Sequence, residues 1–290
     1  MQGTFRGAET RAWHRDQWSQ IVIPDLIRDE VTPLIELLPT TDDLVAIDIG
    51  ANKGWWTAAL LRTLPGKVRH VHMIDASPEN FRELANAWDH LTLSPEELRL
   101  TSAYPFAMSS GHGAVTLHTN EDGSPLASVY PGVTRGWGEA GAQMSTTITV
   151  PTDTVDSFME RQQLSRVNIL KVDVEGHEMA VFEGAARSLA QKAIDVVAFE
   201  FGLHQVQSRN FFVDFFDLFS GRYGYRMYTA ENGVLASIPA YSFHFENLSR
   251  QYVMYAVADL GAAAPAPVAE APPGLLDRLR RRISNAPPRP

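Results

Sequence analysis

The chain has 290 residues, of which 44% are hydrophobic and 20% charged, and its formal net charge is −9. This composition is typical of a soluble globular protein with one large domain plus extensions. The absence of cysteine excludes disulfides, thiolate metal sites and cysteine nucleophiles. The acidic balance argues against a nucleic-acid partner. With no signal-peptide pattern and no apolar stretch of about 18 residues, we expect a cytoplasmic protein without stable membrane insertion.

The two ends of the chain differ from its middle. Residues 1–40 predict a helical extension, and residues 41–260 predict one α/β domain. Residues 261–290 predict a Pro/Ala-rich linker followed by a basic amphipathic tail, either disordered or in weak contact with a membrane surface or a partner. That tail carries five arginines and two acids, a net charge of +3, so the remaining chain holds −12.

Seven apolar runs of strand length alternate with helical patterns in the middle of the chain. Strands buried on both faces read as continuous apolar runs, so the pattern predicts a mostly parallel sheet with helices on both faces. Residues 115–150 are rich in turn-forming residues and predict an antiparallel excursion or lid. The predicted strands are Leu44–Ile49, Val71–Asp75, Leu98–Ala107, Asn168–Val174, Val196–Phe201, Tyr225–Thr229 and Tyr252–Ala258. The predicted helices are Trp55–Thr63, Ser77–Trp88, Glu178–Gln191 and Asn210–Phe219.

A glycine turn follows the first predicted strand, in the sequence AIDIGANKGW that starts at Ala46. Gly50 and Gly54 allow a sharp turn, and the next helix offers free N–H groups to a ligand. Asp48, at the end of the strand, can accept a hydrogen bond from a ligand ammonium. The spacing matches neither the dinucleotide-binding fingerprint nor the P-loop, which disfavours hydride and phosphoryl transfer.

An acid ends the second predicted strand, 27 residues after Asp48. The carboxylate of Asp75 can accept two hydrogen bonds, so this position suits the ribose of a nucleoside. The alternative is that Asp75 only caps the next helix.

Ionisable residues crowd the end of the fourth predicted strand, in the segment KVDVEGHE that starts at Lys171. Ligands of open α/β sheets bind outside the carboxyl ends of the strands, so Asp173, Glu175 and His177 are candidates for catalysis. Glu178 has an alternative role as an acid at the start of the next helix.

Together with FAMSSGHGAVTLH and TDTVDSF, these motifs resemble the FkbM family of S-adenosylmethionine-dependent methyltransferases over roughly residues 42–202. The resemblance implies a class I methyltransferase fold, which is a Rossmann-like, seven-stranded sheet with its last strand antiparallel. It also implies S-adenosylmethionine as cofactor and methyl transfer to a hydroxyl oxygen.

The resemblance assigns the cofactor contacts residue by residue. Asp48, Gly50, Asn52 and Gly54 would surround the amino-acid part of the cofactor, and Asp75 would bind its ribose. Near the adenine we expect Phe81 and the loop with Ala107 and Ser109, in which serines replace an acid found in many class I enzymes.

Methyl transfer to an alcohol requires an aligned oxygen and a group that accepts its proton. We expect Asp173 to orient or deprotonate the acceptor with assistance from His177, and His204 is a further candidate. The expected acceptor is a hydroxyl on a small molecule or glycan, as in natural-product tailoring. The open alternatives are an N-methyltransferase, a non-catalytic binding module, and a Mg²⁺ ion shared by Asp173 and Glu200.

Four aromatic side chains are candidate walls of the pocket. Trp137, in the glycine-rich excursion, is the best candidate for a lid that excludes water. Trp55 and Tyr130 can also line the pocket, whereas Trp56 can equally pack a helix against the sheet.

Overall fold

The computed structural model describes residues 25–85, 93–132, 144–231, 234–248 and 252–260. Trp137, residues 1–24 of the predicted extension and the tail 261–290 lie outside these ranges. In the described part of the chain, every helix is too short or too polar to cross a membrane.

The described residues form a central sheet of eight strands and a second sheet of three. In the central sheet the order is β10-β9-β11-β8-β7-β1-β2-β3, and the five strands from β8 to β3 are parallel. The strands are β1 (Leu44–Ile49), β2 (Val68–Ile74), β3 (Thr101–Tyr104), β4 (Ala107–Met108), β5 (Gly113–Thr119), β6 (Thr146–Asp153), β7 (Val167–Val172), β8 (Ile194–Phe201), β9 (Tyr225–Glu231), β10 (Val234–Ile238) and β11 (Tyr252–Ala258).

Two details of the predicted sheet were wrong. The eighth strand, β10, pairs with β9 at the edge of the sheet and is mostly exposed, so it lacks the apolar run that marks a buried strand. The predicted strand Leu98–Ala107 is divided: only β3 joins the central sheet, and β4 joins the second sheet. Pro105 separates them, because proline has no N–H to donate to a strand ladder.

The predicted excursion contains an antiparallel pair of strands. Residues 113–119 of β5 pair with residues 146–152 of β6. The strand pair therefore begins before and ends after the predicted bounds 115–150. The short strand β4 lies on the other side of β6. The strands β5 and β6 place residues 120–132, the connecting loop, beside the carboxyl ends of the parallel strands.

The helices cover both faces of the central sheet. The predicted helix Glu178–Gln191 is two helices, because Gly184 ends the first. The helices of the described residues are α1 (Asp25–Val31), α2 (Leu34–Leu37), α3 (Trp55–Thr63), α4 (Pro78–Ala85), α5 (Pro95–Leu98), α6 (Val155–Arg161), α7 (Glu178–Glu183), α8 (Ala186–Ala190), α9 (Gln205–Ser208) and α10 (Phe212–Phe216), with a π-helical turn at Asp217–Arg222 and a 3-10 turn at Phe243–Phe245.

Each face of the sheet carries its own apolar core. On one face, stacked and edge-to-face phenylalanines such as Phe182, Phe199 and Phe219 hold α7 and the π-helical turn. On the other face, α1, α2 and α3 pack against β1 and β2. Trp56 is buried in this second core, so it packs a helix against the sheet. Because both faces are covered, the carboxyl ends of the parallel strands are the part of the sheet left open for a ligand.

Candidate functional site

A cleft with about 910 Å³ of empty space, part of it open to solvent, lies at the carboxyl ends of β1, β2, β7 and β8. Its walls come from the loops after these strands, from β4 and β5, and from the connecting loop of the excursion. The lining residues are Ile49, Gly50, Asn52, Ile74, Asp75, Ala76, Ser77, Asn80, Phe106, Ala107, Met108, Leu117, Ser124, Pro125, Ala127, Ser128, Val129, Asp173, Val174, Glu175, His177 and Glu200.

The glycine turn brings three strand ends together. Gly50 has a positive φ of 73°, and its N–H donates to the carbonyl oxygen of Ile74 at 2.9 Å. A Cβ atom at Gly50 would overlap the backbone carbonyl of Asp173. Only glycine therefore suits this position, where the loop after β1 touches the loop after β7. Gly54, with a φ of 80°, ends the turn at the start of α3 but does not line the cleft.

Asp75 lies at the tip of β2 and lines the cleft, with 8% of its surface exposed. One carboxylate oxygen accepts from the N–H of Ser77 and the amide of Asn80, at 2.9 and 3.1 Å. The other accepts from the N–H of Asn52 at 2.8 Å. Burial raises the pKa of Asp75, although these hydrogen bonds oppose the shift. A carboxylate has about four acceptor positions, so one is left for a ligand hydroxyl.

Asp48 is completely buried and does not line the cleft. One of its oxygens accepts from the hydroxyl of Thr57 at 2.8 Å, and the other lies 3.3 Å from the ammonium of Lys171. The structure thus places the ammonium of Lys171, and not the cleft, beside the carboxylate that the sequence assigns to a ligand ammonium.

Lys171 forms a buried charge centre beneath the cleft. Its ammonium lies 3.3 Å from the carboxylate of Asp173 and donates to the carbonyl oxygen of Gly50 at 3.1 Å. Burial opposes the charge, but Asp48, Asp173, Glu30 and Glu200 outweigh it, so the net effect raises the pKa of Lys171. The ammonium thus balances carboxylates contributed by β1, the loop after β7, β8 and α1.

The structure gives no support to the magnesium alternative. Asp173 and Glu200 both line the cleft, but the ammonium of Lys171 already neutralises Asp173. Across the described ranges, no three His, Asp or Glu side chains come together in a group that could hold a metal ion.

The buried carboxylate of Glu178 holds the loop after β7 in place through hydrogen bonds. Its carboxylate accepts from the N–H groups of Val174 and Gly176, at 3.1 and 3.2 Å, and from the amide of Gln205 at 2.6 Å. It is buried, and burial raises its pKa. As the first residue of α7, Glu178 therefore fixes the loop and does not face the cleft.

His177 and Ser109 contact each other across the cleft wall. Nε2 of His177 lies 3.0 Å from the hydroxyl of Ser109, and burial lowers the pKa of the imidazole. Ser109 itself does not line the cleft, whereas Ala107 does. The hydroxyl of Ser109, which the sequence predicts near the adenine, thus contacts the imidazole of His177.

Glu175, the third predicted catalytic residue, lines the cleft and pairs with His204. Its carboxylate oxygen Oε2 lies 3.0 Å from Nε2 of His204. Burial raises the pKa of Glu175 to about 7, against the opposing effect of His204. Burial lowers the pKa of His204, but the pairing with Glu175 outweighs it and the net shift is upward.

Some predicted residues lie elsewhere. Phe81 lines a separate cavity with Met73 and Leu84, between α4 and the sheet, so the structure does not bring it into the cleft. Trp55 packs against the core beneath α3, and Tyr130 lies beside His177, with 6.1 Å between ring centroids.

Other parts of the site carry little signal in the sequence. Asn80 fixes Asp75, and the loop at Ser124–Val129 closes one wall of the cleft. The start of α4 gives a weak signal for Asn80, five residues after Asp75, but no periodicity marks the loop.

The sheet order, the antiparallel β11 and the cleft at the strand ends define a class I methyltransferase fold. The Methyltransferase FkbM domain matches residues 48–227, which is more than half of the chain. The protein therefore belongs to the FkbM methyltransferase family, as its motifs predict.

Several solved structures are similar to the chain at low identity. Methyltransferase FkbM from Methylobacillus flagellatus KT has 16% identity and a TM-score of 0.48, over 76% of this chain and 45% of the other. This chain thus spans less than half the length of that protein. An O-methyltransferase from Bacillus cereus, in complex with SAH, has 11% identity and a TM-score of 0.42 over 83% of both chains. Precorrin-6y C5,15-methyltransferase from Geobacter metallireducens GS-15 has 11% identity and a TM-score of 0.41, over 79% of this chain and 87% of the other. No curated protein matches the sequence.

Proposed function

We propose that the cleft binds S-adenosylmethionine and that the protein methylates a hydroxyl oxygen of a small molecule or glycan, as in natural-product tailoring. The observation that carries this proposal is the position of Asp75, which lines the cleft at the tip of β2 with one acceptor position left for a ribose hydroxyl. We assign this function to residues 41–260 as one domain.

The shape of the cleft suits the parts of the cofactor. Gly50 and Asn52 line the end that would take the amino-acid part, and Asp75 follows on the next strand. Ala107 and Met108 offer an apolar wall for the adenine. Asp173, Glu175 and Glu200 then remain for the acceptor, at the ends of β7 and β8.

When bound, S-adenosylmethionine would supply a methyl group on its sulfonium for transfer to the acceptor oxygen, with S-adenosylhomocysteine as the leaving group. Lys171 holds the carboxylate of Asp173 at 3.3 Å, so Asp173 can orient the acceptor hydroxyl. The apolar residues Pro125, Ala127 and Val129 of the connecting loop line one wall of the cleft and limit the contact of the reacting atoms with water.

The charge of the chain favours a small acceptor over a nucleic acid. A net charge of −12 outside the tail opposes binding to a phosphate backbone. The complete absence of cysteine suits the reducing cytoplasm, where we place the reaction.

Transfer of labelled methyl groups tests the proposal. The protein is incubated with methyl-labelled S-adenosylmethionine and a panel of sugars and secondary alcohols, each paired with its amino counterpart. We expect label in hydroxyl-bearing compounds and none in compounds that lack the hydroxyl. Label confined to the amines would instead identify an N-methyltransferase. Cofactor binding without transfer to any compound of the panel would identify a binding module.

A further inference from the structure

The loop after β7 directs two ionisable side chains to opposite sides of the cleft. His177 contacts Ser109, which follows β4, on the side of β3. Glu175 contacts His204, which follows β8, the neighbour of β7 on the side away from β1. Since the proposed amino-acid, ribose and adenine positions lie on the side of β1 to β4, Glu175, and not His177, lies on the side left for the acceptor.

The pair formed by Glu175 and His204 is held rigidly. Its two side chains are only 13% and 11% exposed. Glu175 has a φ of 53°, which is unfavourable for a residue with a side chain, and its carbonyl oxygen accepts from the hydroxyl of Ser128 at 2.7 Å. The next residue, Gly176, has a φ of 101°, and a Cβ atom there would lie 2.9 Å from the carbonyl oxygen of His204.

Backbone strain of this kind persists only where the surroundings fix it, and it is concentrated at functional sites. Three separate segments fix the conformation here: the connecting loop through Ser128, the start of α9 through His204, and α7 through Glu178. The carboxylate of Glu175 is therefore positioned before a ligand binds.

Resting on the proposed function, we propose that Glu175 accepts the proton of the acceptor hydroxyl and that His204 is the positioning residue that orients this carboxylate. As the new O–CH₃ bond forms, the S–CH₃ bond breaks and its electron pair returns to sulfur. The O–H bond breaks at the same time, and the proton passes to the carboxylate of Glu175. Asp173, paired with Lys171, orients the hydroxyl, and His177 is left to the adenine side.

The charges around Glu175 agree with this role. His204 faces Glu175 from the start of α9, Asp173 faces it from the same loop, and Glu178 faces it from α7. Tyr130, on the connecting loop, lies beside the next residue, Gly176. Burial raises the pKa of Glu175 to about 7. A carboxyl group with that pKa is available as a base at neutral pH and is basic enough to accept a proton.

A test that needs no acceptor compares two cofactor analogues by calorimetry. Sinefungin differs from S-adenosylhomocysteine by an amine-bearing carbon in place of sulfur, so its positive charge lies where the methyl group would be transferred. If Glu175 faces this point, wild type prefers sinefungin, and Glu175→Gln reduces the preference about tenfold while affinity for S-adenosylhomocysteine is kept. His112→Gln, a change at a histidine whose side chain is 63% exposed, serves as control and leaves the preference unchanged.

The pH dependence of the same preference tests His204. We expect the preference of wild type to rise between about pH 6 and pH 8, as Glu175 ionises. His204 lowers the pKa of Glu175, so His204→Gln should move the midpoint to higher pH. A histidine with a purely structural role would change both affinities equally and leave the midpoint in place.

The outcomes separate this inference from the proposed function. Wild type that binds neither analogue contradicts the proposed function. Wild type that binds both, with the same preference in Glu175→Gln, overturns the role of Glu175 alone. An unchanged midpoint in His204→Gln overturns the role of His204. If Glu175→Gln also loses S-adenosylhomocysteine, the wild-type profile decides, and a preference that is flat with pH overturns the inference.

Discussion

Replacing Lys171 with methionine is expected to reduce the free energy of unfolding by about 3–5 kcal/mol, because it leaves buried carboxylates without their counter-charge. Asp48 is completely buried, and the ammonium of Lys171 lies 3.3 Å from it and 3.3 Å from Asp173. Methionine has a similar length and fills the same space, so the loss reports the charge and not a cavity. Urea unfolding followed by circular dichroism measures it.

Lys67→Met is the matched control. Lys67 also pairs with an aspartate, Asp42, at 2.6 Å, but the two side chains are 45% and 74% exposed. An exposed ion pair contributes at most about 1 kcal/mol, so this variant should unfold close to wild type. Equal losses in the two variants would contradict the description of Lys171 as a buried charge centre.

Gly50→Ala is expected to destabilise the protein by about 3 kcal/mol, because overpacking adds to an unfavourable backbone conformation. The φ of Gly50 is 73°, and the new methyl group would overlap the carbonyl of Asp173. To relieve that overlap, the loops after β1 and β7 must separate, so we also expect loss of cofactor binding. Urea unfolding and calorimetry with S-adenosylhomocysteine measure the two effects.

Gly66→Ala separates the two causes. Gly66 has nearly the same φ, 71°, but nothing lies within 4 Å of a Cβ atom there. This variant carries the backbone cost alone, about 1 kcal/mol, and should bind the cofactor normally. If Gly50→Ala were no less stable than Gly66→Ala, the close approach of the two loops would be wrong.

Much of the fold follows from local patterns in the sequence. The strands β1, β7 and β8 are almost fully buried, so each reads as a continuous apolar run. The predicted bounds of α3 are those observed, because the glycine turn marks its start. The edge strand β10 gives no such signal, since its side chains are mostly exposed.

The site was less predictable, because contacts between distant segments decide which polar side chains face the cleft. Asp48 and Asp75 both lie at the carboxyl ends of strands. Asp48 is buried and pairs with Lys171, whereas Asp75 lines the cleft. The pairing of Glu175 with His204 joins residues 29 positions apart. The sequence pattern predicts which acids lie at strand ends. It does not predict which basic side chains pair with them, because those come from distant segments.

Calorimetric titration of the full chain with S-adenosylhomocysteine, in wild type and in Asp75→Ala, tests the central claim most directly. We expect saturable one-to-one binding by wild type and at least about tenfold weaker binding by the variant, because a charged acceptor of hydroxyl hydrogen bonds is lost. Binding by wild type that Asp75→Ala leaves unchanged would contradict the ribose assignment. Absence of binding by wild type would contradict the account of the cleft as a cofactor site.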